Sequence, residues 1–258
     1  MMLLYKAWLE SRLRFLCGLL CVVALSIFYV RLHPILLPGW IAALRDPHAI
    51  KPPWLPLGIS EYRFYVWHFL FDYQLQNLWV VFAIIFGFGG LVRETAHGTA
   101  LFSLSLPVSR TRWFTSRLTI AFLESIILAL LPTIVIPLAS AAIGQRYPLT
   151  QAFGHGVLMA VAGSIFVAIA VLASLLFRGE YAPLTGTLAL VVLPYVFLQE
   201  WTRLHPYLWT SRFDAAHVMA GPWLLSWRNM PWSGVITTSL LTTIVLMLAI
   251  RRGRQLEF

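Results

Sequence analysis

RETAHGTALFSLSLPVSRTRWFTSR, residues Arg93–Arg117, decides how this chain is read. Arg93, Arg110, Arg112 and Arg117 stand at its edges, and two apolar runs flank it, Leu75–Val92 and Leu118–Ala142. The flanking runs are long enough to cross a bilayer, whereas the stretch between them is too polar to do so. It therefore reads as a loop at the membrane surface, with both ends fixed to spans.

The rest of the composition agrees. Of 258 residues, 59% are hydrophobic and only 11% charged, with mean hydropathy +0.78. A soluble domain of this length needs a more charged surface. The net charge of +9 is carried almost wholly by arginine, because Lys6 and Lys51 are the only lysines. In a soluble protein that balance points to nucleic acid; here it points to membrane orientation and lipid headgroups, and no nucleic-acid partner is expected. Cys17 and Cys21 lie one helical turn apart in the first apolar run, a spacing that makes no disulfide framework. The run lacks a small-residue cleavage site and reads as a retained helix.

Read in order, the chain is expected to be an all-α polytopic membrane protein forming a single transmembrane domain. Residues 1–14 suit an interfacial helix, with Leu4 and Trp8 on one face and Lys6, Glu10, Arg12 and Arg14 on the other. Spans are expected at 15–30, 75–92, 118–142, 152–177, 182–198 and 233–250. Prolines 34, 38, 47, 52, 53 and 56 argue against a continuous helix after His33. A helix start is expected at Ser60-Glu61, with aromatic residues from Tyr62 to Trp79 marking passage through the interface. Pro132 and Pro137 predict kinks in the third span. Residues 200–232 are amphipathic and rich in Trp, and predict short helices or a re-entrant hairpin at the outer interface. That tryptophan belt reads as anchoring, with a gate or substrate contact as the alternative.

Six spans place both termini on one side. That side carries eleven basic residues close to the spans, against eight on the other, seven of them spread over two longer loops. The termini and the Arg93–Arg117 loop are therefore expected in the cytoplasm. Within the loop, Thr99 can cap a short helix over Ala100–Leu106 and Pro107 ends it; Ser109 can cap the third span. The short helix carries Leu101, Phe102, Leu104 and Leu106, too apolar for a solvated turn, so it wants headgroups or a partner's groove.

The segment ETAHGTALFSLSLPVSR resembles the cytoplasmic signature of ABC-2 family ABC transporter permeases, roughly E-R-x-x-G-T-L-E-x-L-L-S-L-P-V-S-R. Glu94, Gly98, Thr99, Leu104, Ser105, Leu106, Pro107, Val108, Ser109 and Arg110 stand at matching positions. Thr95, Ala100, Leu101 and Ser103 depart from it, and Leu101 replaces a frequent Glu, removing any salt bridge made from there. The motif covers about a fifteenth of the chain. The resemblance implies the transmembrane subunit of a bacterial inner-membrane exporter, paired with a second copy as a homodimer above two ABC ATPase subunits. Residues Gly98–Pro107 would be the coupling helix, with Glu94, Gly98, Thr99, Leu101, Phe102, Leu104, Leu106, Pro107 and Arg110 at the ATPase contact. ATP and Mg would be held by the partner ATPase and no cofactor by this chain, which has no Walker A context around either lysine. The substrate expected is amphipathic, lipid-like or peptide-like.

Glu124 is the one ionisable residue in the third span, about two turns beyond Arg117. It marks an intramembrane polar site by default; the structural reading, a contact with Arg117, Arg112 or the interfacial helix, is preferred because it lies near the headgroups. The seven histidines form no metal-binding spacing. Cys17 and Cys21 share a face that could hold copper(I), but packing cysteines are commoner and no metal is expected. Two rivals remain: an intramembrane enzyme, which should show paired carboxylates or clustered histidines, and a membrane scaffold, which needs no coupling helix.

Overall fold

The computed structural model describes residues 2–88, 110–176, 182–187, 189, 191, 195, 197 and 214–254. Every element among them is helical. In chain order these are α1 (Met2–Arg45), α2 (Leu55–Ser60), α3 (Tyr62–Gly87), α4 (Arg110–Leu130), α5 (Pro132–Ala142), α6 (Leu149–Leu176), α7 (Ala182–Thr187), α8 (Ala215–Ala220) and α9 (Trp232–Arg254). Among the described residues, five helical stretches are long and apolar enough to cross a membrane: Leu3–Arg45, Tyr62–Gly87, Arg112–Ala142, Leu149–Leu176 and Trp232–Gly253. The chain is a helical, multi-pass membrane protein. Seven residues of the expected span at 182–198 (188, 190, 192–194, 196 and 198), the stretch 200–213 and the loop residues 89–109 lie outside the described residues.

α6 is the central pole. It packs against α3, α4, α5, α8 and α9, and α1 closes the other side by lying along α3, α4 and α5. Small residues let α6 come close to its neighbours, as membrane helices require. A Cβ placed on Gly87 of α3 would stand 2.5 Å from Ala170 Cβ and 3.0 Å from the Val167 carbonyl oxygen. One placed on Gly156 would stand 3.0 Å from the Ala129 carbonyl oxygen of α4.

α1 departs from expectation. It runs unbroken from Met2 to Arg45, so residues 2–14 are its opening turns rather than a separate helix, and it continues through Pro34 and Pro38. Proline removes one N–H and crowds the preceding turn, but neighbouring helices can re-satisfy the backbone. The carbonyl that Pro34 leaves without its helical N–H is that of Val30; one residue earlier the Tyr65 hydroxyl donates to the Tyr29 carbonyl at 2.7 Å and ties α1 to α3. His33, 4% exposed, packs its ring against Tyr62 and Tyr65. The interruption comes only after Arg45, before the prolines at 47, 52, 53 and 56.

α3 begins after Glu61, at the expected place, and includes a π-helical stretch, Trp67–Gln74. Its aromatics are not a simple interfacial belt. Tyr65, Phe71 and Trp79 are buried, and the Trp79 N–H donates to the Ser125 carbonyl of α4 at 2.9 Å. The third span breaks at Leu131, between α4 and α5, where Pro132 cannot donate; Pro137 stays inside α5.

Candidate functional site

Of the Arg93–Arg117 stretch, residues 110–117 form the start of α4, and α3 ends at Gly87. The assigned coupling residues Glu94, Gly98, Thr99, Leu101, Phe102, Leu104, Leu106 and Pro107 lie outside the described residues, and Arg110 opens α4. The structure does describe the start of α4, which follows them in the chain. The loop-proximal part of α4 lies against the N-terminal part of α1, and Phe86 near the end of α3 completes the corner.

This corner is polar inside. The Arg117 guanidinium meets the Glu10 carboxylate at 2.9 Å and lies over the Trp113 ring, 4.4 Å from its centroid. Lys6 approaches the same carboxylate at 3.9 Å. One turn and three residues beyond Arg117, Glu124 is only 3% exposed. The Ser11 hydroxyl of α1 donates to Glu124 Oε1, while Glu124 Oε2 is buried with no hydrogen-bond partner among the described residues. Between α1 and α4 a small cleft is lined by Glu10, Ser11, Arg14, Arg117 and Glu124 on its polar walls and by Phe86, Ile120 and Ala121 on its apolar ones.

The helical repeat explains the corner. Ala7, Ser11 and Arg14 recur at four and three residues, and Arg117, Ile120, Ala121 and Glu124 do the same on α4, so each set forms one stripe. The expectation that Glu124 contacts the N-terminal segment matches the geometry, but the partner is Ser11, and Arg117 pairs with Glu10 instead. Sequence reading missed Ser11. Its only signal was its register, one turn from Ala7 and three residues short of Arg14.

A second polar stripe lies deeper, along α6 and the turn before it. Tyr147, Gln151 and His155 follow one another at four-residue steps, and each keeps one buried polar atom without a partner among the described residues. The Phe71 ring stacks on both Tyr147 and His155, with centroids 6.4 and 4.7 Å away. His155 Nδ1 stands 3.0 Å from the Ala220 carbonyl, so that nitrogen carries the donated proton. Buried polar atoms of this kind call for water or a ligand group. Neither stripe brings together three His, Cys, Asp or Glu side chains able to hold a metal among the described residues. Cys17 and Cys21 are free and exposed on α1.

Family models, curated proteins and solved structures were each compared with the chain, and none matches it.

Proposed function

We propose that this chain is the transmembrane permease subunit of an ATP-driven exporter, with ATP hydrolysed by a separate ATPase polypeptide. In this reading six spans cross a bacterial inner membrane with both termini in the cytoplasm, and two copies pair above two ATPase subunits. The observation that carries it is the ETAHGTALFSLSLPVSR segment, which resembles the ABC-2 coupling signature and lies in the sequence between α3 and α4, two helices that pack on each other and on the central α6. A rigid apolar-faced rod fixed at both ends to packed spans is what a coupling element needs. The expected substrate is amphipathic, because lipid-like or peptide-like molecules suit an export route opening beside the bilayer.

The test is co-purification with the products of the neighbouring genes, searched for a protein with a Walker A loop, followed by an ATP turnover assay of whatever complex assembles. Leu106→Arg, which puts a charge on the coupling face, should abolish both association and stimulated turnover. Normal assembly and turnover in that variant would defeat the proposal.

A further inference from the structure

α3 follows one ridge of α6 along the bundle. The Phe71 ring lies on His155, with centroids 4.7 Å apart. Trp79 fills the space that a Cβ on Gly163 would need, and Gly87 meets Val167, Ala170 and Val171. Gln76 is on the same side of α3 as Gly87, because Gln76, Val80, Ala83 and Gly87 repeat at four and three residues. It therefore stands between the levels of Phe71 and Trp79, beside Met159, which is four residues from both His155 and Gly163. Gln76 is 1% exposed, and neither its amide oxygen nor its amide nitrogen has a partner among the described residues. With the Tyr147 hydroxyl, Gln151 Oε1 and His155 Nε2, it makes a line of orphaned polar atoms along the α3–α6 contact.

The line has a direction. Tyr147 and Gln151, by the start of α6 at Leu149, are 5% and 9% exposed, whereas His155 is 0% exposed and Gln76 lies deeper still. Beyond Gln76 the contact closes, since Trp79 presses on Gly163 and its N–H is held by the Ser125 carbonyl. The atoms themselves say what fills the line. The Ala220 carbonyl can only accept, so His155 Nδ1 donates to it and Nε2 is left as the acceptor of the neutral ring. The Gln151 and Gln76 oxygens also accept, the Gln76 amide nitrogen donates, and the Tyr147 hydroxyl does either. An ion of either sign meets some of these groups with the wrong polarity, and no formal charge among them offsets its desolvation. Water both donates and accepts, and each buried group needs such a bond to escape the cost of desolvation. We infer that a file of water enters between α3 and α6 at Tyr147 and reaches Gln76, where Trp79 closes it. It runs about 15 Å along α6, from Leu149 to the level of Met159. Phe71, which walls it, belongs to the π-helical stretch Trp67–Gln74, a backbone form frequent at functional sites. The inlet stands on the packing of α3 and α6 and does not depend on the exporter reading.

The test is X-ray hydroxyl-radical footprinting of the purified full chain in lipid nanodiscs, in which ordered water labels the side chains it touches. Phe71 and Phe82 make the comparison, since they are 2% and 9% exposed and Phe82 packs in an apolar contact with Gly18 and Phe86. Phe71 should be labelled about fivefold faster or more, and Met159 should be labelled too. With dissolved oxygen removed and heavy-oxygen water mixed in just before the pulse, the label on Phe71 should carry the heavy isotope, because the file is continuous with bulk. A second measurement is the unfolding midpoint of Gln76→Leu in detergent. In a hydrated line the leucine removes bonds to water, so the midpoint should fall or stay level. In a dry line it removes two unpaired polar atoms, and the midpoint should rise by about 2 °C or more. Such a rise, or Phe71 labelled no faster than Phe82, overturns the inference. Met159 left unlabelled beside a labelled Phe71 would stop the water short of Gln76, and light oxygen alone on Phe71 would make the water sealed rather than entering; each also rejects the inlet. Should Gln76→Leu not fold, the footprint of the parent chain decides alone.

Discussion

Arg117 carries several contacts at once: it pairs with Glu10, covers the Trp113 ring and walls the cleft. Its side chain is 9% exposed and that of Glu10 is 32%, so the pair is only partly screened by solvent. Lysine keeps the charge but loses the flat guanidinium that lies on the indole and the fork that meets a carboxylate. Arg117→Lys should therefore unfold earlier than the parent, at a cost of about 1 kcal/mol, with Arg117→Ala costing more. Thermal unfolding in detergent measures both; a lysine variant as stable as the parent would show that charge alone matters. Trp79 offers a cleaner case, because it is 1% exposed and its single N–H donates to Ser125 across α3 and α4. Trp79→Phe removes that donor and part of the ring, and should cost about 1–3 kcal/mol. An unchanged midpoint in that variant would mean that the bond adds nothing net to stability.

At the scale of elements, the contact between α3 and α6 depends on having no side chain at Gly87. A methyl group there meets Ala170 Cβ at 2.5 Å and the Val167 carbonyl oxygen at 3.0 Å, and a backbone atom cannot rotate away. Gly87→Ala should force the helices apart and cost about 1–3 kcal/mol. Ala170→Gly in the same chain vacates the nearer contact and should restore part of the loss, a coupling that a double-mutant cycle reads directly. Additive effects of the two substitutions would place the strain elsewhere. Some helix boundaries were legible in the sequence, since Glu61, Pro132 and the arginines at residues 251–254 punctuate long apolar runs. The extension of α1 through Pro34 and Pro38 was not, because what sustains it is tertiary: Tyr62 and Tyr65 come from a helix distant in sequence. The cleft was half legible. A lone carboxylate inside a span announces itself, whereas a serine in an amphipathic opening turn looks like any solvated residue until α4 is laid beside it. The buried stripe of Tyr147, Gln151 and His155 was illegible for the same reason, since polar residues at four-residue steps do not say which neighbour covers them.

For the molecule as a whole, the question is how a push on the loop would reach the far end of the bundle. α3 and α4 take it directly, and α1 must follow because Glu10 and Ser11 tie it to Arg117 and Glu124. The path then meets the break at Leu131, where α4 ends and α5 begins. Pro132 leaves the Leu128 carbonyl without its helical N–H, and the ladder restarts with Ile134 and Val135 donating to the Leu131 carbonyl at 3.1 and 3.2 Å. Such a break lets the loop-side half of the span tilt while α5 stays packed on α1 and α6. Pro132→Ala restores one donor and should splice the two halves into a stiffer rod. The isolated chain should then be as stable as the parent or slightly more so. On the exporter reading proposed above, association of the chain with its ATPase partner should be unchanged, because the loop sequence is intact, while ATP turnover of that complex should fall about three- to tenfold if tilting at the break accompanies each cycle. Two measurements decide the matter, co-purification and turnover. Parental turnover would make the break a passive kink, and lost association would mean that the substitution had disturbed the mounting of the loop rather than the motion beyond it.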